Sequence, residues 1–184
     1  MFNVKLKFKD MTNVQIYVGT YFKYNNGSVE GAWPDLKDYS NYEELSEAMR
    51  ELHKDEEDPE FMFQDYECSE IFNDLKLISE SYISKDIYEV IEAIENSYHE
   101  EEVITAFIYC YGNGCNDIHD VLNKVCECYC GEFSDDIDFT EQLLADTGCL
   151  SMDLPSYVHI DWGRTAQDIM MDYVTYNHHY FRLM

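Results

Sequence analysis

The surplus of negative charge is the hardest constraint on this chain. Against 38 Asp and Glu stand 12 Lys and Arg, a net charge of −26 over 184 residues, and any compact state must tolerate that self-repulsion. Disorder would relieve it. Yet 46% apolar and 15% aromatic content lie well above what chains too hydrophilic to collapse carry, so the sequence predicts a folded protein. The stretch HKDEEDPEFMFQDYE, residues 53 to 67, shows both tendencies at once. Asp55, Glu56, Glu57, Asp58, Glu60, Asp65 and Glu67 are threaded with Phe61, Met62, Phe63 and Tyr66. An imbalance this large exceeds what solubility requires. It argues against nucleic acid as a ligand, because phosphate binding depends on Lys and Arg, and against anionic membranes for the same reason.

The charge is unevenly divided. Residues 1 to 53 hold 8 acids and 6 bases, residues 54 to 102 hold 17 and 3, and residues 103 to 184 hold 13 and 3. A nearly neutral first third is followed by a strongly acidic remainder. The opening MFNVKLKFKD alternates Lys with apolar residues and lacks the continuous apolar core of a secretion signal. No run approaches a membrane span. Seven scattered cysteines, an odd number, suggest free thiols in a reducing compartment, so a cytoplasmic location is expected.

The length suits one ordinary domain or two to three small ones, and the pattern predicts an α+β chain: a small antiparallel sheet plus helix over 1–68, an acidic helical middle over 69–115, and a mixed C-terminal part over 116–184. In the first, VQIYVGTYF is β-rich, YNNGS supplies an Asn-Gly turn signal and VEGAW runs back, a hairpin pattern. Ser40 with Glu43 forms a capping box before Leu45, Ala48, Met49 and Leu52 at helical spacing. After Pro59, FMFQDYE alternates like a third strand. From about 69 to 125 the pattern reads as helical. Ser84 is the expected N-cap of a helix with Ile87, Val90, Ile91, Ile94 and Tyr98 on one stripe. Val103, Ala106 and Phe107 mark a helix that YGNG stops, and Ile118, Val121, Leu122 and Val125 mark the next. Further on, CYCGEF is strand-like and DFTEQLLADTG is a helix with Gly148 at C′. LPSYVHIDWGRTAQDI reads as helical with a break at Gly163, and MMDYVTY and YFRLM form a closing hairpin.

Among residues that could carry function, the acids stand first. Asp86, Glu89, Glu92 and Glu95 are spaced by three, so each step advances about 4.5 Å along a helix and turns back by about 60°. Such a row is also what an ordinary solvated helix face looks like. Accumulation singles it out. Glu100, Glu101 and Glu102 continue the row, Asp55, Glu56, Glu57 and Asp58 precede it, and the bases that would form i, i+4 pairs are missing. Asp117, Asp120, Asp135 and Asp136 extend the set towards the C-terminus.

The other constellations carry less. Cys126, Cys128 and Cys130, with Cys110, Cys115 and His119 upstream, lack the C-x2-C knuckle of zinc sites and read as strand cysteines projecting to one buried face. DDIDFTE lacks the glycine and acidic ladder of an EF-hand loop. His159 and Asp161 stand without any nucleophile or phosphate-loop motif, so a small hydrolase is the weakest reading. Neither a catalytic residue nor a cofactor or metal is expected.

The stretches VQIYVGTYFKYNNGSVEGAW (14–33), FMFQDYE (61–67), YCGEFSDDIDFTEQLLADTG (129–148) and LPSYVHIDWGRTAQDI (154–169) resemble the ArdA family of antirestriction proteins. The first, ending in Gly31-Ala32-Trp33, is the most specific; the acidic middle agrees in character. The resemblance implies an elongated three-domain protein carried by a mobile genetic element in a bacterial host. It further implies dimerisation through the C-terminal domain and imitation of B-DNA in the groove of type I restriction-modification enzymes, at their methyltransferase-specificity core. The acids named above would be the mimicking surface. An acidic inhibitor or binding module for another basic partner, such as a CRISPR effector, is the alternative. Residues 1 to 12 precede the family's usual start and leave two readings open, an added edge strand or a start at Met11. CECYC is not a family feature, and His179 stands where a relative would tend to have the turn glycine.

Overall fold

The computed structural model describes residues 13–112, 117–150, 154–155 and 157–184, so the expectations for residues 1 to 12 and for Cys115 fall outside the described residues. The fold is α+β, with short helices and small antiparallel sheets. The chain packs as two compact units, Met1–Glu101 and Glu102–Met184.

In the first unit β1 (Gln15–Thr20) pairs antiparallel with β2 (Phe61–Glu67), the strand expected after Pro59. Val14, Ile16 and Val18 face the core. The register passes from Val18↔Phe63 to Tyr17↔Asp65, which leaves Gln64 as a bulge. Strict alternation fails there, and the neighbours Met62 and Phe63 are both buried.

The expected first hairpin is corrected. Thr20 ends β1 and caps α1 (Tyr21–Asn25), its hydroxyl accepting from Lys23 N at 3.2 Å, so a helix begins where β propensity would continue the strand. The Asn-Gly signal terminates that helix. Gly27 has φ +83°, with Gly27 N donating to Tyr24 O and Ser28 N to Lys23 O, both at 2.9 Å, a Schellman motif. The returning segment meets β1 only at the bridges Val18↔Ala32 and Gln15↔Asp35. Gly31 permits that approach, since a Cβ there would overlap the Val18 carbonyl oxygen.

Helix α2 (Tyr42–Leu52) starts one residue later than the expected box. Asn41 Oδ1 accepts from Glu44 N at 2.9 Å while Glu44 Oε2 accepts from Ser40 N at 2.8 Å. Leu45 and Met49 are buried, but Leu52 is exposed. Beyond β2, α3 (Glu70–Asp74) leads into a hairpin of β3 (Ile78–Ser79) and β4 (Tyr82–Ile83) inside the stretch expected to be helical throughout. Helix α4 (Ile87–Glu95) buries Ile87, Val90 and Ile94. Its N-cap position is Asp86 rather than Ser84, whose hydroxyl accepts from Asp86 N, and Tyr98 lies past the helix end and wholly exposed.

The second unit contains most of α5 (Glu101–Tyr111), then α6 (Ile118–Cys128), β5 (Tyr129–Glu132), α7 (Asp136–Asp146) and α8 (Trp162–Ile169). The hairpin of β6 (Tyr173–Tyr176) and β7 (His179–Arg182) closes the chain as expected, in the order β5-β7-β6. Asn177 and His178, at φ 50° and 67°, make its two-residue turn, so the left-handed positions precede His179, which is buried in β7. Gly148 sits at C′ of α7 with φ +67°. Gly163 is the second residue of α8 and breaks nothing; residues 158 to 160 are non-helical. Rings build much of this core: Phe181 lies 5.7 Å from Phe107 and 5.3 Å from Tyr129, and Phe139 stacks on Tyr180 at 4.7 Å.

Candidate functional site

The acidic loop that follows α2 is held from below. His53, the residue after the helix, is 1% exposed, and its Nε2 lies 3.2 Å from the Val18 carbonyl oxygen. A carbonyl can only accept, which selects the Nε2–H tautomer and leaves Nδ1 to accept from Lys23 Nζ at 3.2 Å. The same ammonium donates to Asp55 Oδ1 at 3.0 Å and lies 3.8 Å from Glu30. Their shared hydrogen bond holds the Asp55 carboxyl below its ordinary value and the Lys23 ammonium above its own. Thr20 Oγ1 donates to Glu56 Oε1 at 2.7 Å, and Tyr21 N donates to Glu60 O at 3.0 Å. Glu57 and Asp58 are exposed, whereas Glu56 is half-buried.

The row on α4 follows the geometry of the helix. With Ile87, Val90 and Ile94 turned inward, Asp86, Glu89, Glu92 and Glu95 are all exposed. Glu100 and Glu102 are exposed too. Glu101 departs from the row: as the first residue of α5 it is only 9% exposed, and its charge, after burial, helps push the Cys68 thiol up. The partly positive N-terminus of α5 favours a carboxylate there.

In the second unit the acids are exposed but structurally engaged. Asp117 caps α6 by accepting from His119 N at 2.8 Å, and Asp120 pairs with Lys124 at 2.6 Å. Asp135 caps α7, accepting from Ile137 N and Asp138 N at 2.9 Å each, while Asp136 accepts from Tyr180 OH at 2.8 Å. That phenol is pushed up by burial and then by its bond to Asp136. Asp135 and Asp136 share an open groove with Gln167, His178 and Tyr180. Asp161, paired with His159 in the weakest reading, caps α8 by accepting from Arg164 N at 3.1 Å.

The cysteines do not share a strand face. Cys126 and Cys128 lie in the last turn of α6, with only Cys128 buried, and Cys130 in β5 is exposed. Burial pushes the Cys110 and Cys128 thiols up, which disfavours the ligating thiolate. One grouping of metal-ligand types occurs among the described residues, His53 with Asp55 and Glu56. The Lys23 ammonium already bonds two of its three members. Sequence reasoning missed Thr20, Lys23 and His53. The available signal was a lone lysine inside an otherwise β-rich block and a histidine between an amphipathic helix and an acid run.

These features define a class: a small acidic α+β protein that carries many of its carboxylates on folded helices, at their caps or on a loop tied to the sheet. No helix among the described residues is long and apolar enough to cross a membrane. The model of the antirestriction protein (ArdA) family matches residues 16–182, and the chain belongs to that family. Its members are antirestriction proteins. Among curated proteins none matches the chain.

Proposed function

We propose that this protein blocks restriction by occupying the DNA-binding groove of a type I restriction-modification enzyme, at the methyltransferase-specificity core, as a carboxylate imitation of B-DNA. The observation that carries the reading is the exposed row Asp86, Glu89, Glu92 and Glu95 on a helix anchored by Ile87, Val90 and Ile94. Charge on an ordered helix keeps a spacing, which charge on a tail does not. A groove lined with Lys and Arg gains the same attraction and releases similar counterions whether the opposing lattice is phosphate or carboxylate. A protein lattice has no base sequence, so it competes at every site. In this reading the protein acts in the bacterial cytoplasm as a homodimer joined through its C-terminal part, with the exposed acids of both units contributing.

The test is competition with a DNA duplex for a purified type I enzyme between about 50 and 200 mM salt, with the duplex's own affinity measured at each salt so that the protein's dissociation constant is obtained. Mimicry requires affinity to fall steeply over that range. Binding that stays constant would overturn it, as would unchanged restriction of unmodified phage in a host expressing the protein.

A further inference from the structure

We propose that Lys23 is a positioning residue for the carboxylates of the 53–58 loop, an internal base that orders an acidic surface by giving up one unit of its charge. The inference rests on the mimicry reading for its purpose, though not for its geometry. Four ties converge from residues 18 to 23 onto residues 53 to 60: the Val18 carbonyl on His53, Thr20 on Glu56, Tyr21 N on the Glu60 carbonyl, and Lys23 on both His53 and Asp55. Lys23 is the one that grips two loop residues through a single atom, and its side chain is 11% exposed. Its neighbour in charge but not in role is Lys54. That side chain is 73% exposed and pairs with Glu51, three residues back at the end of α2. Removing either lysine makes the protein more negative by one charge. Counting charge alone therefore predicts that both removals tighten binding to a basic groove. Positioning predicts opposite signs, because a loop that must be ordered on binding gives up affinity.

The experiment uses the full chain with Lys23→Met, Lys54→Met and Lys23→Arg, measuring competition with DNA for the type I enzyme and amide exchange over residues 53–60. The expected result is Lys54→Met binding as tightly as the parent or tighter. Lys23→Met should bind roughly three- to tenfold more weakly, with faster exchange confined to 53–60, a shallower salt dependence and recovery in Lys23→Arg. Lys23→Met binding as tightly as Lys54→Met would overturn the proposal, as would weaker binding with unchanged exchange. A second pair guards against misfolding: Asp55→Asn cuts the Lys23 tie from the loop side, and Asp58→Asn removes the same charge from an exposed position. Asp55→Asn should weaken binding more; equal losses would overturn the proposal. If the parent protein fails to compete with DNA, mimicry fails, while the exchange data still decide whether Lys23 holds the loop.

Discussion

The two units accommodate repelling carboxylates by different physics. In the first, the 53–58 loop is restrained by the Lys23 ammonium, the Thr20 hydroxyl and the Val18 carbonyl, which reach it from α1 and β1. In the second, Asp117, Asp135 and Asp161 sit at helix N-caps, where backbone N–H groups satisfy them and the helix dipole favours their charge. The loop has its acids held in place; the three caps use acids to start helices. The cores differ in the same sense, with aliphatic side chains around β1 and α4 and an aromatic cluster under β7. An acid's exposure therefore does not reveal its role: Glu57 and Asp135 are both exposed, yet only the second caps a helix.

Phe181→Ala should produce the largest effect. This side chain is fully buried against Phe107 and Tyr129, and its loss should cost about 3–5 kcal/mol in urea unfolding of the second unit. Amide protection in the first unit should persist; equal loss there would show that the units fold as one. Alkali should act next, and on both units. Tyr88, donating to the Leu36 carbonyl, and Tyr111, donating to the Arg182 carbonyl, are each pushed up to about 12, chiefly by burial. The folded state keeps these protons where an unfolded chain has lost them. Their stabilisation is thus full below about pH 10 and disappears as pH rises through about 12. Phenolate absorbance should show both ionising late, and either one titrating like a free tyrosine would break the parallel. A smaller effect is expected from Asp135→Ala, about 1 kcal/mol of stability with most recovered in Asp135→Asn. Glu57→Ala should stay within about 0.5 kcal/mol. Smallest of all, Glu92→Ala should leave inhibition unchanged within a competition assay, because the charge is distributed; a collapse would mean a discrete hot spot.

Local signals carried the reading where one residue type fixed the backbone, and failed where side chains replaced them. The Gly148 stop, the strand after Pro59 and the closing hairpin were legible because glycine, proline and alternation act locally. The β3–β4 hairpin was hidden because Lys76, at φ 55°, ends α3 in the left-handed position that glycine usually announces. The first hairpin was misread because Asn-Gly serves a helix C-terminus as readily as a hairpin turn. At the candidate site, the acids could be named from the sequence, but their restraints join residues about thirty positions apart. No periodicity encodes such a contact.

The Val18 carbonyl accepts from both Ala32 N and His53 Nε2, and it is the atom that a methyl group on Gly31 would strike. Gly31→Ala would therefore lever the return segment off β1 and tilt the imidazole seat beneath the acidic loop, although no carboxylate lies at the altered position. Damage to the charged surface could arise from a site bearing neither charge nor side chain, and surface electrostatics alone would never flag it.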